Sequence, residues 1–70
     1  MFKVSQDSLQ VAVLEAGLSQ ADLAAKTLIN PARISKLLKN GGYCRNTTIL
    51  KLAAALNVPP TELIFIKGKV

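Results

Sequence analysis

LSQADLAAKTLINPARISKLLKN, residues 18–40, decides the reading of this chain. Ser19 stands three residues before Asp22, the spacing at which a hydroxyl and a carboxylate cap each other's backbone N–H at a helix start. The acid also faces the positive end of the helix dipole. Leu23 and Ala24 supply the apolar side of this first short helix. Asn30-Pro31 marks a second start. Asn is a strong N-cap, and Pro at the first helical position gives up no needed hydrogen bond. Ile34, Leu37 and Leu38 recur at helical spacing, so the second helix is expected to bury one face. Its other face carries Arg33, Ser35, Lys36 and Lys39.

A short capped helix, a turn and a second helix with a basic outer face is the layout of a helix-turn-helix, whose second helix can lie in a DNA major groove. Counted from Gln20, the small residue Ala24 falls fifth, apolar Ile29 and Ile34 tenth and fifteenth, and Leu37 eighteenth. On these positions, and on GLSQADLA (residues 17–24), INPARISKLL (29–38) and LKLAAALNVPPTEL (50–63), the chain resembles the phage-repressor type of helix-turn-helix. This is the Cro/C1 or Xre family of bacterial and phage DNA-binding regulators. The resemblance covers roughly residues 9–63.

Seventy residues allow one small domain, expected to span residues 1–70. A core of this size is marginal, so strong helical patterning or a partner subunit would help. Half of the residues are apolar, which argues against disorder, and only three are aromatic, so aliphatic side chains must build the core. Nine basic residues against four acidic ones give a net charge of +5, which favours contact with a polyanion once the basic helix face is considered. The chain has no His and a single Cys, Cys44. Neither a disulfide framework nor a zinc site can be built within one chain, and the thiol has no His to activate it. Cys44 reads as a bystander in a loop or partly packed. No cofactor, metal or small-molecule ligand is readable. No apolar run approaches membrane-spanning length, and the start lacks the apolar stretch of a signal peptide. A reducing cytoplasm is the expected location, for a bacterial or phage-encoded, nucleoid-associated protein. The initiating Met and a closing β-prone segment suggest a complete chain.

In chain order, Met1 to Val4 alternates apolar and polar residues and favours extended structure. Residues 63–66 and the following KGKV are again β-prone, so the two termini are expected to pair as a small antiparallel ribbon, as in some small regulators of the resembled family. The alternative is that both ends fray. Ser5 to Asp7 offers caps for a first helix running to Ala16, where Gly17 stops it. Leu9, Val11, Ala12, Val13 and Leu14 make that helix apolar over a wide arc. After the helix-turn-helix, about residues 19–39, Asn40-Gly41-Gly42 breaks the structure and Tyr43-Cys44-Arg45 continues a loop. A fourth helix is expected over about residues 47–56, preceded by Asn46, or by Arg45 if aligned with the family. Asn57 closes it in a left-handed conformation, and residues 60–63 make a last helical turn. The expectation is an all-α, compact, five-helix phage-repressor-like domain with the terminal ribbon added.

DNA recognition needs cations and N–H groups for phosphates, and long polar side chains for base edges. Arg33 and Lys36, three apart on one face, rank first and second for base readout. Pro31 and Ala32 are short and suit a thymine methyl. The plain alternative for each cation is a solvated surface charge. The resemblance places Gln20 against the phosphate backbone. Asn30 can act likewise at the next helix, though capping already explains it. Ser35 allows close approach. Lys39, Asn40, Tyr43, Arg45 and Thr47 surround the loop that runs beside the backbone in the resembled family; Tyr43 can instead cover the core. The expected function is a sequence-specific transcriptional regulator, a repressor acting on double-stranded DNA as a homodimer. Val58, Leu63, Phe65 and Ile66 are the candidate dimer surface; the alternative is that they close the core. The alternative is an antitoxin-like or other protein-interaction module that keeps the fold. Scattered carboxylates, the missing His and the missing Gly-rich phosphate loop argue against an enzyme, and the cations do not gather on one long amphipathic membrane-binding helix.

The sequence departs from the family pattern at four places. Leu28 stands where Gly is frequent in the turn, so either the turn differs or packing of Leu28 offsets the strain of a left-handed residue. Leu38 replaces a frequent Glu. Pro31 stands where some phage repressors read a base with Gln. The loop reads Tyr-Cys-Arg-Asn in place of an Asn-Pro-Ser ending.

Overall fold

The computed structural model describes residues 1–65. The elements are β1 (Phe2–Val4), α1 (Gln6–Ala16), α2 (Gln20–Thr27), α3 (Pro31–Asn40), β2 (Gly42–Cys44) and α4 (Asn46–Leu56), closed by a 3-10 turn, Pro60–Leu63. The fold is thus mostly helical, with four α-helices rather than five; the fifth expected helix is a single tighter turn. Leu9, Leu23, Ile34, Ile49, Leu52 and Leu63, one or more from each helix and from the last turn, meet in one aliphatic core. Each such buried side chain contributes about 1.5–3 kcal/mol over leaving it in water.

The helix ends follow the local chemistry of the sequence. Gly17 ends α1 at φ 69°, its N–H reaching the Leu14 carbonyl and the Leu18 N–H the Val13 carbonyl. The Ser5 side chain does not cap α1 but donates to Ser8 Oγ at 3.0 Å. Asn57 ends α4 at φ 57°. Arg45 is the residue before α4, so that helix starts at Asn46, one residue ahead of the expected start. On α1 only Leu9, Ala12 and Val13 are buried, so the apolar arc is narrower than expected and Val11 and Leu14 face solvent.

The ribbon differs from the sequence expectation. The strand that pairs with β1 over its whole length is the segment just after α3: β1 and β2 pair antiparallel with Phe2 opposite Cys44, Lys3 opposite Tyr43 and Val4 opposite Gly42. Residues 42–44 are therefore a strand and not a loop. The C-terminal segment joins on the other edge of β1 through one bridge, Val4 to Ile64, with the Phe65 N–H donating to the Lys3 carbonyl and the Ser5 N–H to the Leu63 carbonyl. Residues 66–70, including the KGKV half of the expected pairing, lie outside the described residues. Gly41 makes the β2 position possible. Its backbone (φ 69°, ψ −133°) turns the chain directly from α3 into β2, and an added Cβ would stand 3.4 Å from the Val4 carbonyl oxygen. Val4 and Cys44 point inward and are fully buried, so Cys44 is a core residue rather than a loop thiol.

Leu63, read as a partner-facing residue, is 0 % exposed; it closes the bottom of the core against α1 and α4. The turn residue Leu28 is left-handed, at φ 59°, and 87 % exposed. Neither expectation for it holds, because the turn keeps the left-handed backbone and no packing offsets the strain. Thr27 and Ile29 explain why. Thr27 is buried, donates to the Leu23 carbonyl at 2.7 Å and accepts from the Ile29 N–H at 3.3 Å, while Ile29 packs on the core.

Leu28→Gly is expected to stabilise the fold by about 0.5–1 kcal/mol: relief of about 1–2 kcal/mol of strain outweighs the added freedom of the unfolded chain. An unchanged or lower urea midpoint would contradict this.

Candidate nucleic-acid interface

α3 is held from one side. Ile34, Leu37 and Leu38 are buried against α1 and α2, while Pro31, Ala32, Arg33, Lys36, Lys39 and Asn40 are exposed and Ser35 is half-buried. At its start the Asn30 side chain accepts from the Ala32 N–H at 2.8 Å, and the Asn30 carbonyl takes the Arg33 and Ile34 N–H groups. Pro31 has no N–H to offer. The donors at this helix end are therefore already engaged, and contact with an anion or a base falls to side chains.

The other end of α3 is held by α1. Gln6 Nε2 donates to the Leu38 carbonyl at 3.1 Å and also to the Lys39 carbonyl, and Gln10 Nε2 donates to the Leu38 carbonyl. These are terminal carbonyls that a helix leaves without internal partners. Both glutamines were invisible as functional residues in the sequence, because polar residues at positions 6 and 10 of an amphipathic helix read as solvent-facing. The sequence carries one signal for them: they are four apart, on one helical face.

The basic face is concave at one point. Arg33, Lys36, Leu37, Gly41, Gly42 and Tyr43 line a shallow cleft between α3 and β2. The Arg33 guanidinium leans toward β2, its Nη2 4.0 Å from Cys44 Sγ, and remains accessible. Three of the expected contact residues, Arg33, Lys36 and Tyr43, are thus brought together. Asn40 lies on a neighbouring cleft with Lys3, Gln6 and Phe65. Lys39 is exposed on the last turn of α3, and Arg45 is exposed just before α4. Gln20 is the first residue of α2 and is exposed beside a complete capping box: the Asp22 N–H donates to Ser19 Oγ at 3.0 Å and the Ser19 N–H to Asp22 Oδ2 at 3.2 Å. That box uses the Ser19 and Asp22 donors and leaves those of Gln20 and Ala21 as the open ones at this helix start. Of the other C-terminal residues expected at a dimer contact, Val58 is half-buried on the core, Phe65 is exposed, and Ile66 lies outside the described residues. Among the described residues no cluster of three or more Asp, Glu, Cys or His could hold a metal ion, and no helix is long and apolar enough to cross a membrane.

Two short capped helices, packed so that the second shows its cations to solvent, agree with the matched family model. The model of the Cro/C1-type helix-turn-helix DNA-binding domain matches residues 8–68. The chain belongs to this family. No curated protein and no solved structure matches the chain. As a Cro/C1-type domain the protein is a DNA-binding regulator.

The hydrogen bonds from Ser19 hold the Asp22 carboxyl below its usual value of 3.8. The depressed group stabilises the fold fully above that value, and the contribution is lost as pH falls through the lower folded value. The difference in Tm between wild type and Asp22→Asn should therefore be present at pH 6 and narrow below about pH 4 in circular-dichroism melts. Replacing both Gln6 and Gln10 by Ala should cost about 1–3 kcal/mol in urea denaturation, as all three cross-helix bonds are lost.

Proposed function

We propose that this Cro/C1-type protein is a transcriptional repressor that binds double-stranded operators as a homodimer, with α3 of each copy inserted in the major groove. The observation that carries the reading is the exposed basic side of α3, Arg33, Lys36 and Lys39, on a helix whose opposite side is fully committed to the core. Arg33 is the first base-reading residue, through the bidentate donors of its guanidinium, and Lys36 the second. Pro31 and Ala32 meet thymine methyls at the leading end. Gln20, Asn30, Ser35, Lys39, Asn40, Tyr43 and Arg45 hold the phosphates and fix the register. One such helix spans only a few base pairs, so two copies on half-sites about 34–36 Å apart supply the affinity and selectivity a regulator needs. The setting is the cytoplasm, on chromosomal or phage DNA.

A second reading is a protein-interaction module that keeps the fold. Val11 and Leu14, exposed apolar neighbours on α1, favour it. Duplex selection from a random pool, followed by titration at several salt concentrations, separates the two. The repressor reading expects an enriched half-site repeated about one turn apart; no duplex affinity at low salt would reject it. Arg33→Ala should relax preference at one base pair by about 1–3 kcal/mol, whereas Lys39→Ala should weaken all duplexes alike and lower the salt slope by about one. Equal losses on selected and random duplexes for Arg33→Ala would remove its readout role.

A further inference from the structure

The ribbon presents an ordered row of side chains that the helix-turn-helix does not account for. Successive residues of a strand face opposite sides of a sheet. Val4 and Cys44 point into the core, so Lys3 and Tyr43, which lie opposite each other in the β1–β2 register, point out. The bridge from Val4 to Ile64 places Phe65 beside Lys3 on the other edge of β1. Tyr43, Lys3 and Phe65 therefore form one row across three chain segments, with Tyr43 59 % and Phe65 57 % exposed on either side of the cation. The Lys3 ammonium lies 5.4 Å from the centre of the Phe65 ring, which restrains it at the middle of the row.

This row is continuous with the basic side of α3. Tyr43 shares a cleft with Arg33 and Lys36, and Lys3 and Phe65 share the next cleft with Asn40. Gly41 and Gly42 form the ridge common to both. Asp7 is the one carboxylate on the second cleft. The family match begins at residue 8, so Lys3 stands outside the segment that the family description covers.

We propose that the outer face of the ribbon is a second DNA-contacting surface, at which Lys3, steadied by Phe65 and flanked by Tyr43, binds a backbone phosphate beyond the base pairs read by α3. The proposal rests on the DNA-binding reading and adds to it a contact made by the chain start. Continuity with Arg33 and Lys36, and a cation set between two exposed rings, select a polyanionic backbone as the occupant. A phosphate contact of this kind adds affinity without base preference, and it releases one condensed counterion.

The test uses the full chain and a duplex enriched from a random pool. Lys3→Ala is expected to lower the slope of log K against log salt by about one, and to weaken selected and random duplexes equally, about five- to tenfold near 0.1 M salt. Phe65→Leu keeps apolar cover but frees the ammonium, and should give a smaller loss of the same sign. An ethylated phosphate at the contacted position should weaken wild type and leave Lys3→Ala unaffected. Melting temperatures of both variants report folding separately, since Lys3 and Phe65 are exposed. A salt slope unchanged by Lys3→Ala overturns the proposal while the repressor reading stands. So does a loss confined to one duplex sequence, or an altered monomer–dimer equilibrium with DNA affinity intact. If the wild-type chain binds no duplex at low salt, both readings fall.

Discussion

Everything about the interface depends on α3 being held by one face only. Ten residues must bury Ile34, Leu37 and Leu38 and keep Arg33, Lys36 and Lys39 in water. A helix attached along three side chains would rock about its own axis unless its ends were also fixed. The two ends are fixed by different chemistry. At the start the Asn30 side chain and Pro31 set the direction locally, through bonds no more than a few residues long. At the finish the attachment is long-range: Gln6 and Gln10 reach across from α1 to the last carbonyls of α3, and Gly41 turns the chain so that β2 lies against β1. The rotational setting of Arg33 and Lys36 is therefore determined as much by α1 and β1 as by α3 itself.

That division decides what could be read from the sequence. The limits of α1, α2, α3 and α4 fall within a residue or so of the sequence reading because Ser19 and Asp22, Asn30 and Pro31, Gly17 and Asn57 act on their own neighbours. The apolar faces were legible for the same reason, since burial repeats with the helical period. The ribbon was not. Two three-residue strands carry too little alternation to announce a partner, and a β-prone C-terminus was the more conspicuous candidate for β1. The structure places β1 between β2 and the Ile64–Phe65 segment, so what the sequence did not announce was β2, which reads as a loop, and with it the middle position of β1. Burial of Cys44 and Leu63 follows from that placement. Both lie where the ribbon and the last turn cover the core, and neither position is marked by local pattern.

The candidate contact surface, the exposed basic side of α3, was legible in its residue types and only partly in its arrangement. Arg33 and Lys36 were placed on one face by periodicity alone. That Tyr43 belongs with them, in one cleft, required the Gly41–Gly42 reversal. The place of Lys3 beside Tyr43 and Phe65 was unreadable because nothing in FKV says which of its neighbours in space it will meet. The glutamines of α1 carry the same lesson from the other side. Polar side chains on a helix are by default solvent-facing, and only the nearby end of another helix, with carbonyls that need donors, gives them structural work.

Leu28 shows how far tertiary demand can override a local preference. A left-handed residue between two helices is best supplied by Gly, and an exposed Leu there adds strain with no burial to offset it. The backbone nevertheless adopts the conformation because the residues on both sides leave no other route. Thr27 must stay inside to satisfy the Leu23 carbonyl and the Ile29 N–H, and Ile29 must turn back onto the core one residue before the Asn30 cap. A turn that relaxed at Leu28 would pull Ile29 from the core and shift the Asn30 cap with it. The strain of one residue is small against the loss of an aliphatic contact, a buried hydrogen bond and a helix cap together, so the fold keeps the turn and with it the placement of α3.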